Sequence, residues 1–504
     1  MNNQNQTVLI SALMEESGVK FGTSGARGLA TDMTDRVCYA YTLAFMDYLK
    51  STGDLAEGSS IAIAGDYRPS SPRIMAAVAM AIRDGGCTPI NCGLIPTPAV
   101  ALYGMANKIP SIMVTGSHIP DDRNGIKFYK PAGEILKEDE QGMCSQSVDV
   151  SNDLFDSNGS TNDPQTLSGV ETAAYQMFVQ RYLDFFPAGC LKGKTVGVYE
   201  QSTVARDILR EVIEGLGADV IRLGFSETFL PVDTEAIRPE DVVLAHQWAE
   251  ELSVDCIVSA DGDGDRPLVS DEKGNWLRGD VAGILCARYL GAEHIATPVS
   301  CNSAVEKSGW FKQVERTRIG SPFVIAAMNE VLGQGESDLI GGVVGYEANG
   351  GFLTASDITI GGRTLSALPT RDAVIVPLAI LLMATEAGST ISELLKTLPQ
   401  RFTSSGRLKD FPAELSQSKL SALNSGDHAA DIAAAEALFA DAFGSVISID
   451  CTDGIRITFA SEEVAHLRPS GNAPELRCYN EAASEERAEA MNQCCMAVLE
   501  SWRS

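Results

Sequence analysis

The 504 residues are more than one hydrophobic core organises, so about three or four domains are expected. With 44% apolar and 21% charged residues, the composition is that of an ordinary soluble globular protein. The net charge of −28, from 39 basic against 67 acidic residues, argues against nucleic acid and anionic membranes as partners and demands a local basic pocket for any anionic substrate.

The first residues, MNNQNQTVLISALMEES, show neither a basic run nor a cleavage pattern, so a cytoplasmic location is expected. FGTSGARG (21–28) is a glycine-rich loop with one cation, Arg27, and carries little weight alone. Short β-branched strands then alternate with helical segments. IAIAG (61–65), a helix over 72–86, TPINCG (88–93), a helix over 97–107 and the apolar PSIMV (110–114) follow one another. This alternation predicts βαβ units built on a mainly parallel sheet. The last strand runs into TGSHIPDDRNGIKFY (115–129), and the polar stretch 136–168 reads as an excursion and linker.

The pattern recurs twice. TVGVYE (195–200), a helix over 204–216, DVIRLG (219–224), a helix near 242–253 and DCIVSA (255–260) end in DGDGDR (261–266). IATPVS (295–300), a helix over 321–333 and LIGGVVGY (339–346) end in EANGG (347–351). The longest apolar run, 373–384, contains Pro377 and is too short to span a bilayer. After a composition shift near 399–428, residues 429–504 read as a small α+β domain. The expected division is 1–165, 166–274, 275–399 and 400–504. Ligands bind beyond the carboxyl ends of strands in open α/β sheets, so the three strand-end loops are expected to converge on one cleft.

The twelve cysteines include no CxxC pair, which leaves buried free thiols as the better reading over zinc or disulfides. In DGDGDR, Asp261, Asp263 and Asp265 alternate with glycine, and such a density of hard oxygen ligands suits Mg²⁺ or Ca²⁺. An EF-hand loop fails, because Arg266 stands where the turn needs glycine and a strand precedes it. A solvated acidic turn is the plain alternative. Ser117 lacks the second glycine of a nucleophile elbow, and chain neighbours do not generally face each other, so a hydrolase pair with His118 is not supported. Lys127 lies after an Asn-Gly turn and can fold back towards Ser117. By itself, though, the stretch fits an ordinary polar turn at least as well as a reactive serine. RPSGNAPELR (468–477) offers Arg468, Ser470, backbone N–H groups around Gly471, and Arg477: a phosphate cradle or a Pro-bounded surface turn.

Taken together and in order, these loops resemble the α-D-phosphohexomutase family of phosphoglucomutases, phosphomannomutases and phosphoglucosamine mutases. The resemblance implies three similar α/β domains with mixed, mainly parallel sheets and a smaller C-terminal α+β domain around a central cleft. It implies that Ser117 carries a phosphoryl group and completes a Mg²⁺ site with Asp261, Asp263 and Asp265, and that Arg27, His118, Lys127 and Arg266 surround the reacting phosphoryl. Glu347 and Asn349 would hold sugar hydroxyls. Arg468, Ser470, Gly471, Asn472 and Arg477 would hold the distal phosphate.

The implied activity is interconversion of hexose 1-phosphate and hexose 6-phosphate through a hexose 1,6-bisphosphate, with mannose favoured over glucose or glucosamine. A metal-dependent sugar phosphatase and a non-catalytic sugar-phosphate binder are remoter readings. The expected partner is the hexose phosphate alone, on a monomer or weak homodimer. The chain departs from the family pattern at Ile119, which replaces the usual Asn, at Asn349 for the usual Ser, at Gly351 for the usual His, and in the phosphate loop, where SGNAP stands for the usual Ser-Gly-Thr-Glu-Pro.

Overall fold

The computed structural model describes residues 5–22, 24–164, 166–333, 341–470 and 474–503. Three sheets share one plan. In the first, the central strand Ser60–Gly65 pairs in parallel with Thr88–Leu94 on one side and Ser111–Val114 on the other. The chain then turns back as Arg123–Lys130, antiparallel to Ser111–Val114. Thr195–Gln201 occupies the same central place between Asp219–Phe225 and Cys256–Ala260, with Pro267–Val269 returning antiparallel. Ala292–Pro298 lies between Gln313–Thr317 and Gly342–Tyr346, with Phe352–Thr354 returning. Each turn between the last two strands is one of the loops singled out above.

The first sheet extends further than a parallel unit. Ala26–Leu29 pairs antiparallel with Arg123–Lys130, and so carries Arg27 beside the returning strand. Thr88–Leu94 accepts Pro89 because it is the edge strand, where a missing N–H costs no ladder bond. The stretch 136–168 is not merely a linker. It forms the helix Lys137–Cys144 and a strand, Ser147–Ser151, that pairs antiparallel with Asn5–Leu9. The helix rests on Tyr48, against whose ring Gly142 leaves no room for a side chain.

The C-terminal sheet is antiparallel throughout, with Phe402–Leu408, Leu476–Ala482, Val464–Pro469, Ile455–Phe459 and Val446–Asp450 in that order. Helices His428–Phe443 and Glu485–Ser501 pack on it. The strand Phe402–Leu408 and the helix Ala413–Ser421 order most of the stretch that reads as a composition shift. One apolar core runs from Ala62 to Leu398 through the first three sheets. A second fills the other face of the first sheet, and a third lies wholly within the C-terminal unit. The helix Ile375–Ala387, apolar all round, is buried in the first of these. Among the described residues no single helix is long and apolar enough to cross a membrane. All twelve cysteines are free, and most are buried.

Candidate active site

Ser117 sits one turn beyond a strand whose four residues are all buried. Its backbone is left-handed, with φ 55°, a conformation costly for a residue with a side chain. Local hydrogen bonds hold it there. Ser117 N–H donates to Thr115 Oγ1 at 2.7 Å, and that hydroxyl donates to Asp66 Oδ2 at 2.7 Å. Arg68, which is 1% exposed, donates to the carbonyls of Ser117, Ile119, Pro120 and Arg123 at 2.6–3.0 Å. Its Nε pairs with Asp66 at 3.1 Å. The guanidinium lies against Gly116, where an added Cβ would come within 2.6 Å of its carbon.

Held this way, the buried Ser117 hydroxyl donates to Asp261 Oδ2 at 2.6 Å. The same left-handed turn brings His118 Nδ1 to 3.3 Å, a contact between chain neighbours that the sequence argument did not foresee. Burial, then Arg266 and Arg27, hold the His118 pKa well below its usual value, so the imidazole is neutral.

Asp261, Asp263 and Asp265 are fully buried, which removes the solvated-turn alternative. The loop closes on itself: Asp261 Oδ1 accepts from the N–H groups of Asp265 and Arg266, and Gly264 takes φ 67°. Lys127 Nζ donates to Asp263 Oδ2 and Asp265 Oδ2, each at 2.6 Å, and Thr97 Oγ1 also donates to Asp263 Oδ2. Burial pushes the Asp265 carboxyl up, but Arg371, Lys127 and Arg266 outweigh it and hold it well below the usual carboxylate range. Asp261 is driven the other way, raised by burial and then by the charges of Asp263 and Asp265.

These donors fit a hard divalent cation. Ligand oxygens from all three aspartates lie within 4.8 Å of one another, and Asp263 Oδ1 and Asp265 Oδ1 are buried with no hydrogen-bond partner. Arg266 stands at the rim, its Nε 4.0 Å from Asp261 and 3.8 Å from Asp265. Arg27 feels Asp263 and Asp265 as well. Burial, then the like charge of Arg266, lowers its pKa to about 10.

The loop 347–351 joins this cluster through a residue to which the sequence assigned no role. Arg371 Nε donates to Asp265 Oδ2 at 3.0 Å, and its Nη1 to Glu347 Oε2 at 3.1 Å. Asn349 is turned inward, its Oδ1 accepting from Gly351 N–H at 2.9 Å and its carbonyl from Thr234 Oγ1 at 2.6 Å. In the C-terminal sheet Arg468, Arg477 and Arg407 are directly paired across adjacent strands. Like charges so placed repel, which suits an anion-binding face. Asp453 holds Arg468 Nε at 2.9 Å, and Glu475 holds Arg477 at 3.1 Å. Glu235, its pKa raised by burial and by Asp233, feels the charges of both Arg266 and Arg477.

Ser117, His118, Lys127, Arg27, Arg266, the three aspartates and, through Arg371, Glu347 therefore form one cluster. Ser470 lies at the end of the C-terminal strands, its N–H donating to Glu475 O at 2.8 Å, while Gly471 and Asn472 lie outside the described residues. Arg68, Thr97, Arg371 and Arg407 were missed. Arg68 and Arg371 adjoin apolar segments, but nothing in their local spacing indicates the distant loops they reach.

Residues 18–150 match phosphoglucomutase/phosphomannomutase α/β/α domain I, residues 278–402 its α/β/α domain III, and residues 420–496 its C-terminal domain. The chain is 44% identical over 480 residues to a phosphomannomutase of Salmonella muenchen, covering 94% of each chain. It is 43% identical over 484 residues to one of Sinorhizobium fredii, covering 96% of this chain and 99% of that one. A phosphoglucomutase/phosphomannomutase family protein from Burkholderia thailandensis shares the fold at TM-score 0.70 and 18% identity, over 95% and 97% of the two chains.

Proposed function

The chain belongs to the phosphoglucomutase/phosphomannomutase family, and from that membership we propose that it is a phosphomannomutase, interconverting mannose 1-phosphate and mannose 6-phosphate. Among the geometric features one observation carries the reading. The buried Ser117 hydroxyl points at the carboxylate triad, among Lys127, Arg266 and Arg27, where a phosphoryl group would be held and neutralised.

In the proposed reaction phospho-Ser117 gives its phosphoryl to the free sugar hydroxyl. The Oγ–P bond breaks as a bond from phosphorus to the sugar oxygen forms, and the neutral His118, whose Nδ1 lies 3.3 Å from Ser117 Oγ, would take the hydroxyl proton and return it to the departing Oγ. The resulting hexose 1,6-bisphosphate turns over in the cleft, and its other phosphoryl returns to Ser117. Lys127, Arg27 and Arg266 would compensate the charge on the transferring group. Mg²⁺ held by Asp261, Asp263, Asp265 and Ser117 would supply further positive charge there. Glu347 would accept from sugar hydroxyls. Arg468 and Arg477, with Ser470, would grip the phosphate that is not reacting and so align the hydroxyl that is. The proposed division at residues 165, 274 and 399 is supported by each sheet lying inside one unit.

The test is incubation with mannose 1-phosphate and Mg²⁺. Mannose 6-phosphate should form without stoichiometric inorganic phosphate, and intact mass should place one phosphate on Ser117. Ser117→Ala should retain the fold and lose both. Stoichiometric phosphate release would mark a phosphatase instead.

A further inference from the structure

Arg371 is 3% exposed at its side chain and precedes a helix buried in the main core. Its backbone position is set by its neighbour. Asp372 N–H donates to Phe352 O at 2.9 Å, and Asp372 Oδ1 accepts from the N–H groups of Val374 and Ile375 at the helix start. From there the guanidinium reaches two loops of different sheets, Asp265 in the carboxylate loop and Glu347 in the loop after Gly342–Tyr346.

Gly351 explains how it fits. Gly351 does not have positive φ, so its backbone does not call for glycine. Space does: an added Cβ would collide with Arg371 Cδ and lie 2.6 Å from Cγ. The glycine that departs from the family pattern thus leaves the volume that the Arg371 stem fills.

We propose that Arg371 is a positioning residue that aims Glu347 at the sugar by tying it to Asp265, and that Gly351 exists to admit it; this rests on the mutase reading. A buried glutamate carboxylate at the end of three rotatable bonds is fixed only by its partners. A planar guanidinium can serve two carboxylates at once, whereas a lysine ammonium at the end of a flexible stem does not reproduce that fork. With Glu347 Oε2 taken by Arg371, the Oε1 edge is left to meet a hydroxyl. Sugar selection would then depend on a residue that does not itself touch the sugar.

The test is a double-mutant cycle of Arg371→Ala and Gly351→Ala, with Arg371→Lys as the conservative variant. Arg371→Ala should raise KM for mannose 1-phosphate about tenfold and shrink the preference for mannose over glucose 1-phosphate, as expected when a buried polar pairing that reads a hydroxyl is lost. Gly351→Ala should do the same without removing any polar group. Combined with Arg371→Ala it should add little, because the clash with Arg371 is gone and the remaining near neighbour is a side-chain atom, Asn349 Oδ1 at 3.1 Å. Arg371→Lys should recover melting temperature but not KM.

Calorimetric titration of mannose 1-phosphate reads the same cycle without turnover. If the wild type binds but does not isomerise, the mutase reading fails while the coupling stands or falls on these titrations. Wild-type KM and sugar preference in Arg371→Ala, or effects of the two single changes that multiply, would overturn the proposal.

Discussion

Arg68 decides the geometry of Ser117 without approaching the chemistry. Its guanidinium satisfies four carbonyls of the 117–123 segment and is stacked over the ring of Phe229, in the loop after the strand Asp219–Phe225, 4.2 Å from the centroid. Arg68→Met would leave those carbonyls unpaired and Asp66 a buried uncompensated charge, costing about 3 kcal/mol or more. Urea unfolding should show that loss, and intact mass should show Ser117 no longer phosphorylated.

His466 makes a different prediction. It is 1% exposed, its Nε2 donates to Asp453 O at 2.6 Å, and its Nδ1 is buried without a partner. Burial lowers its pKa to about 4, below the 6.5 of the unfolded chain. The unfolded state therefore binds the proton first. Stability is full above pH 6.5 and falls as pH drops from 6.5 towards 4, by about 3 kcal/mol at the limit. Urea midpoints at pH 7.5 and 4.5 should separate less in His466→Gln than in the wild type.

At the scale of elements, one hairpin device is used three times. A parallel strand ends, a short loop turns, and an antiparallel strand returns beside it. The glycines inside these loops allow tight turns, but Gly279 acts between elements. It opens the helix Gly279–Tyr289 directly beneath the loop 347–351, where an added Cβ would lie 2.5 Å from Ala348 O and from Gly350 Cα. Backbone cannot give way as a flexible side chain does. Gly279→Ala should therefore cost about 1–3 kcal/mol in thermal unfolding and raise KM for the hexose phosphate by displacing Glu347.

The strands and helices of the three α/β units were legible because alternation of β-branched and helical segments is a local property. The helix Lys137–Cys144 was not. Its stretch is polar, and it is held through Gly142 against Tyr48 and by Asp139, which accepts from the Tyr48 hydroxyl at 2.7 Å, contacts across more than ninety residues.

At the scale of the whole molecule, the first three units share a core and the fourth has its own. Calorimetry should accordingly resolve two transitions, the C-terminal unit melting separately; a single transition with equal calorimetric and van't Hoff enthalpies would contradict this. The net charge of −28 coexists with a cluster of Arg27, Lys127, Arg266 and Arg371 around three aspartates, because the fold gathers cations that lie far apart in the chain.

The sequence by itself determined the alternating architecture and the order of the strand-end loops, since each is written in contiguous residues with local spacing; Ser117 and the aspartates it offered as candidates, through the resemblance those loops carry together. Only the tertiary structure decided that Ser117 faces Asp261, that Lys127 spans two carboxylates, and that Gly351 is paired with Arg371. Those facts depend on side chains from different sheets meeting at one point, and on the volume that one residue must leave for another.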